Sequence, residues 1–154
     1  MNDTIAAIAT PTGEGGVSII RLSGKGALSV AQKIFCTPSG KPVNKFLPHK
    51  AHLGSIYDPA TSKCVDEVIL TWFKFPKSYT GEDVIEISAH GGNFVSSKIL
   101  GLALAHGARL ADPGEFTRRA FMNGRIDLSQ AEAVADLISA ASDRALQAAV
   151  MQLK

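Results

Sequence analysis

His52-Leu53-Gly54-Ser55-Ile56-Tyr57 and Val65-Asp66-Glu67-Val68-Ile69-Leu70-Thr71-Trp72-Phe73-Lys74, joined across Asp58-Pro59-Ala60-Thr61-Ser62, decide the fold. Each flank reads as a strand, and the connector is dense in residues that favour tight turns, so the pair predicts an antiparallel hairpin. Upstream, Thr4 to Ala9 reads as a strand, Pro11 to Gly16 as a loop and Val17 to Leu22 as a second strand. Ser23 stands where a helix cap belongs, before a face of Ala27, Leu28, Ala31, Ile34 and Phe35 that ends at Thr37-Pro38-Ser39-Gly40. From there to about His49 the chain reads as loop. Downstream, Val84 to Ser88 forms a strand, Asn93 to His106 a helix stopped by Gly107, and Ala108 to Ala111 a last short strand. Helix and strand periods alternate irregularly around a hairpin. That pattern predicts α+β, a mixed sheet with covering helices, and argues against a doubly wound parallel sheet.

The end of the chain behaves differently. Asp127 with Gln130, and Ser129 with Glu132, give overlapping capping signals, and no Gly or Pro follows before Lys154. An uninterrupted helix would be about 39 Å long, beyond the ~30 Å diameter of a small domain, so part of it should project. Ala131, Val134, Ile138, Ala141, Ala145 and Ala148 would form its seam.

Composition excludes several classes. At 154 residues and 45% hydrophobic, the chain can bury about one core. A formal net charge of +2 is too small for a general nucleic-acid binder, so any RNA contact must be local. Cys36 and Cys64 form neither a CxxC motif nor a ligand cluster with the four histidines, which predicts reduced thiols and no metal site. Without a basic stretch before an apolar run, and without eighteen consecutive apolar residues, no leader or membrane span is predicted and the expected location is cytoplasmic.

Few residues point to chemistry. Gly13-Glu14-Gly15-Gly16 fails the GxGxxG pattern because Ser18 occupies the third glycine position, and Ser23-Gly24-Lys25-Gly26 lacks the rest of a phosphate loop. His90-Gly91-Gly92 lies between a strand and a helix, where backbone N–H groups could meet an anion, yet no GxSxG elbow supplies a nucleophile. Glu86 is more informative. Alternation sets it opposite Ile85 and Ile87, so if that face is covered the carboxylate needs a ligand or an arginine. Arg21, between Ile20 and Leu22, poses the same question on its own strand. On an uncovered face both charges would simply be solvated. Arg118-Arg119 and Arg125 add a basic run around a short helical segment from Glu115 to Asn123.

Three blocks carry a resemblance: Ile8 to Gly24, Tyr79 to Gly92, and Pro113-Gly114-Glu115-Phe116-Thr117-Arg118-Arg119-Ala120-Phe121-Met122-Asn123-Gly124-Arg125-Ile126-Asp127 onward to Ala133. Together they resemble the N-terminal region of the MnmE (TrmE) family of tRNA modification GTPases, across essentially the whole chain. The resemblance implies a domain over residues 1–118 similar to the folate-binding domain of glycine cleavage T-protein, then the start of an all-α domain over 119–154. It implies homodimerisation and binding of 5-formyltetrahydrofolate or a related reduced folate, with Arg21, Glu86 and Arg125 as the folate contacts and no catalytic or metal residue in this stretch. For the parent protein it implies GTP, Mg2+ and K+, an FAD-dependent partner, MnmG (GidA), and tRNA whose wobble uridine is modified at C5. GTP hydrolysis would belong to the parent, since the phosphate loop and the C-terminal cysteine are missing here. Many relatives have Lys at Arg125, Leu at Met122, and Gly or Cys at Ala89. The chemistry of the implied contacts is coherent: a pterin edge offers paired N–H donors to a carboxylate, and a glutamate tail suits guanidinium groups.

Overall fold

A computed structural model describes residues 2–154. The chain divides into two compact units, one formed by residues 1–78 and 82–111 and the other by 79–81 and 112–154.

The first unit is built on a seven-stranded sheet. Its elements are β1 (Thr4–Ile8), β2 (Val17–Ser23), α1 (Ala27–Ile34), β3 (Phe35–Cys36), β4 (Ala51–Asp58), β5 (Lys63–Phe73), β6 (Val84–His90), α2 (Asn93–Ala105) and β7 (Ala108–Leu110). The strand order is β3-β4-β5-β6-β2-β1-β7. Only β1 and β7 run parallel, so the sheet is mixed, as the alternating periods required. The β4–β5 hairpin pairs from Ala51↔Thr71 to Asp58↔Lys63, with a bulge at Ile56/Tyr57. Period-two alternation decides its two faces. Ile20, Leu22, Leu70, Ile85 and Ile87 point into one core with Ala27, Val30, Ala31 and Ile34 of α1 and Ile99, Leu102 and Ala103 of α2. Arg21 and Glu86 therefore lie on the other face.

Two local expectations are corrected. Ser23 does not cap α1. It is the last residue of β2, fully buried, and its hydroxyl donates to Glu82 Oε1 at 2.8 Å. Gly24, at φ +136°, turns the chain so close to β1 that a Cβ there would stand 2.8 Å from the Asp3 carbonyl oxygen. The orphan N–H of Gly26 at the helix start then donates to Thr4 Oγ1 at 2.8 Å, so the cap comes from a distant strand. Phe35 is buried as expected but has left the helix: it pairs with Ile56 as the first residue of β3. Its apolar side chain would suit either element, and the edge of β4 supplies backbone partners that a further helical turn would forgo.

The second unit comprises α3 (Glu115–Met122), α4 (Leu128–Ser139) and α5 (Asp143–Leu153), with Tyr79–Gly81 packed among them. The expected single long helix is instead two. The capping box at Asp127 and Gln130 forms with both hydrogen bonds, but α4 ends at Ala140, where ψ swings to 128°. Ser142 restarts the chain by accepting the Ala145 N–H at 3.1 Å, with Asp143 in the first turn of α5. Gln130 Nε2 donates to the Leu153 carbonyl at 2.9 Å, so the start of α4 meets the end of α5 and the two are antiparallel. The expected seam fails with the continuous helix: Ile138 is 81% exposed, while Ala133 and Ala149 are the residues buried. Ser142-Asp143 is the signal for this break. Neither Gly nor Pro is needed where a serine cap competes with helix continuation.

Candidate functional site

Arg21 and Glu86 face each other directly across β2 and β6, and Arg21 Nε donates to Glu86 Oε2 at 2.8 Å. Both side chains are 26% exposed, so the pair is part-solvated on the face of the sheet opposite α1 and α2. The same cross-strand row holds Ala7 on β1 and Thr71 on β5. Of the two readings open for Glu86, the arginine partner is the one present. An ion pair at this exposure is worth at most about 1 kcal/mol, so it does not explain by itself why charges stand amid an apolar strand. What it supplies is orientation: a guanidinium on one carboxylate oxygen holds the group's plane for other donors.

Arg125 belongs to the helical unit. It follows Gly124, which ends α3 at φ +72°, and its exposed side chain stands on a turn closed by its own N–H to the Ala120 carbonyl at 2.8 Å. That turn is anchored within the same unit, since Asn123 Nδ2 donates to the Thr80 carbonyl at 2.9 Å and Tyr79 Oη lies 2.7 Å from Thr117 Oγ1. A Cβ on Gly81, whose φ is +77°, would meet Asn123 Cβ at 3.3 Å. Arg118 and Arg119, one basic run in the sequence, separate in role. Arg118 is exposed and ion-paired to Asp112 at 3.6 Å and to Glu115 at 3.4 Å, whereas Arg119 is 1% exposed and bonded to buried Glu115 at 3.3 Å.

The His90-Gly91-Gly92 turn is a packed strand-to-helix junction. Asp66 takes both the His90 main-chain N–H and ring Nδ1, each at 2.8 Å, leaving the ring largely exposed. Gly91 allows the glycine loop to lie against it: a Cβ there would fall 1.7 Å from the Gly15 carbonyl oxygen. Ser18 Oγ donates to the His90 carbonyl at 3.1 Å, not to the ring. Beside this junction is a cavity of about 260 Å³ walled by the loop from Thr10 to Gly15 and by Asn93 and Ser96.

One juxtaposition is invisible in the sequence. Cys36 and Cys64 pair with Ser55 and Tyr57 on either side of β4, and both line a cleft of about 370 Å³. Burial pushes the Cys36 thiol up, with neighbouring Cys64 adding to this and a backbone hydrogen bond from Ser55 opposing it. Two strand spacings of about 4.8 Å separate their backbones, too far for a disulfide. Neither cavity includes Arg21 or Glu86. Among the described residues no three His, Cys, Asp or Glu side chains gather as a metal site, and no helix is long and apolar enough to cross a membrane.

A mixed sheet covered by α1 and α2, with an oriented Arg–Glu pair on its other face, and a separate helical unit define an α+β protein. Comparison with known proteins is specific. The family described as the GTP-binding protein TrmE N-terminus matches residues 4–125, and the chain belongs to that family. Proteins named tRNA modification GTPase MnmE are 55% identical over 151 residues in Lysinibacillus sphaericus (strain C3-41), covering 98% of this chain and 33% of that protein. In Geobacillus kaustophilus (strain HTA426) the identity is 53% over 152 residues, covering 99% of the chain and 33% of the relative. In Streptococcus pneumoniae (strain Hungary19A-6) it is 56% over 151 residues, 98% and 32%. The chain thus spans about a third of the length of the curated relatives it matches, and corresponds to their N-terminal region.

Proposed function

We propose that this chain is the folate-binding and homodimerising N-terminal portion of a tRNA wobble-uridine modification GTPase, and that it offers a one-carbon donor to chemistry carried out elsewhere in the assembly. The donor is 5-formyltetrahydrofolate or a related reduced folate. The product is an aminomethyl or carboxymethylaminomethyl group on C5 of the wobble uridine. GTP, Mg2+ and K+ would be held by parts of the protein beyond this stretch, and the FAD-dependent MnmG (GidA) would act with it on tRNA in the cytoplasm. The domain frame is a folate-binding and dimerisation domain over 1–118 and the start of a helical domain, which contributes Arg125, over 119–154.

The observation that carries the ligand assignment is the Arg21–Glu86 pair: a carboxylate in an otherwise apolar strand, part-exposed on the face opposite α1 and α2, with one oxygen fixed by a guanidinium at 2.8 Å. A carboxylate so held accepts the adjacent N–H donors of a pterin edge. Arg21 and Arg125 then serve the ligand's carbonyl and carboxylate oxygens. Titration of the chain with a reduced folate tests this. Saturable binding should weaken about 10- to 100-fold in Glu86→Gln, as expected for losing a charge-assisted hydrogen bond, and comparably in Arg21→Ala. Unchanged affinity in both variants rejects the assignment.

A second reading has its own support. Because Arg21 already donates to Glu86, the carboxylate has a cationic partner within the chain, as expected of a structural dimerisation module with a vestigial pocket. That reading predicts no saturable folate binding by the unaltered chain.

A further inference from the structure

The net charge of +2 leaves open where an RNA contact would sit. Over residues 41–52 and 72–78 the chain carries lysines and no Asp or Glu. The two stretches adjoin at one end of the β4–β5 hairpin, where Ala51 pairs with Thr71. His49, at φ 59°, donates its N–H to the Trp72 carbonyl at 2.7 Å, and its ring meets that of Phe73 edge-on at 6.0 Å. Lys45 and Lys50 lie on the loop so joined, on either side of His49, and Lys74 and Lys77 lie on the stretch that follows Phe73. All four are exposed, and among the described residues none of their ammonium groups pairs with a carboxylate. Lys74 reaches only the Trp72 ring, at 6.0 Å from its centroid. Asp83, the acid that closes the second loop, is turned to its own chain, accepting from Trp72 Nε1 at 3.2 Å and the Phe75 N–H at 2.8 Å.

The two stretches together hold five lysines, Lys41, Lys45, Lys50, Lys74 and Lys77, and no acid, so this end of the hairpin is locally basic. Between Lys74 and Lys77, Phe75 is 64% exposed, an apolar ring that packing does not account for. Exposed lysines on two adjoining stretches, with an exposed aromatic ring between Lys74 and Lys77, match what a nucleic-acid strand requires: cations for phosphates and a π-face for a splayed base. The geometry points to this hairpin end as an RNA-contacting surface, with Lys45, Lys50, Lys74 and Lys77 on phosphates and Phe75 stacking on an unpaired base. Phe75 favours RNA over an anionic membrane, since a single ring on a loop is a stacking platform but a poor anchor. The inference rests on the RNA part of the proposed function and is independent of folate.

Anisotropy titration of a labelled total tRNA fraction, at several salt concentrations, tests it. The unaltered chain should bind at low salt with a steep salt dependence. Replacing the four lysines together by alanine should lower the slope of log affinity against log salt by about 3 and weaken binding at least about 30-fold, as expected for losing four phosphate contacts. Phe75→Ala should weaken binding to a single-stranded RNA oligomer about 10-fold while leaving the salt slope unchanged. A control with Lys25, Lys63, Lys98 and Lys154 changed to alanine matches the charge loss and should retain much more binding. Absence of binding by the unaltered chain overturns the inference, as does equal loss in the control. A preference for phosphatidylserine vesicles over tRNA, abolished by the same four substitutions, would reassign the surface to a membrane. Retained folate titration in the four-lysine variant separates failure here from failure of the ligand assignment, and because all four side chains are exposed the variant should keep its circular dichroism.

Discussion

The two compact units are stabilised in different ways. In the sheet unit, branched aliphatic and aromatic side chains such as Ile20, Leu70, Ile85, Ile87 and Phe35 are essentially fully buried against two helices. In the helical unit, the apolar residues buried among the described ones are Ala120, Ala133 and Ala149, each offering little more than a methyl group. Its largest buried side chain is Arg119, against Glu115. Meanwhile Ile138 at 81% and Met151 at 77% exposure stand in the open. A full Leu or Ile contributes about 1.5–3 kcal/mol on burial, and helices of eight to twelve residues are marginal without such packing. The lesson is that the sheet unit is held by area removed from water, and the helical unit by a few directed polar contacts and caps.

That contrast is open to attack by substitution. The largest effect is expected from Arg119→Ala, which breaks the buried pair with Glu115, leaves that carboxylate to Arg118 at 3.4 Å and the Asp112 N–H at 2.8 Å, and should cost about 3–5 kcal/mol. Amide hydrogen exchange should accelerate across α3 and its neighbours while β2, β5 and β6 stay protected; simultaneous loss in both units would mean that they are one cooperative body. Leu70→Ala should cost about 2–5 kcal/mol through lost transfer energy and a cavity, with the denaturant midpoint of the sheet unit falling. A cost below about 1 kcal/mol would show that something other than apolar burial holds the sheet unit together. Smallest are the caps: Asp127→Ala and Ser142→Ala should each cost about 1 kcal/mol, read as faster exchange at the first turns of α4 and α5. If Ser142→Ala instead leaves α5 untouched, the hairpin is held by packing and not by its cap.

How far the chain is legible follows the range of the interactions. The β4–β5 hairpin, the strand of Glu86, α2 with its glycine stop and the Asp127 capping box are readable because their causes lie within a few residues of one another. Ser23 misleads because a serine before an apolar period looks like a cap, while its actual partner, Glu82, lies 59 residues away in the chain. The terminal segment misleads because it lacks Gly and Pro, yet a serine cap alone is enough to break it. Glu86 stands out correctly as an anomaly, but alternation alone does not say what lies opposite.

By itself, the sequence determined the α+β class, the faces of the strands, the family and the residues worth questioning. These depend on local periodicity and on residue types that can be matched one by one. Only the tertiary structure decided that Arg21 lies directly across from Glu86, that Asp66 orients His90, that two cysteines share a cleft, and that the two lysine-bearing stretches adjoin beside the β4–β5 hairpin. Each of those depends on strand register, and register is chosen by pairing across the sheet between segments that have no local means of specifying one another.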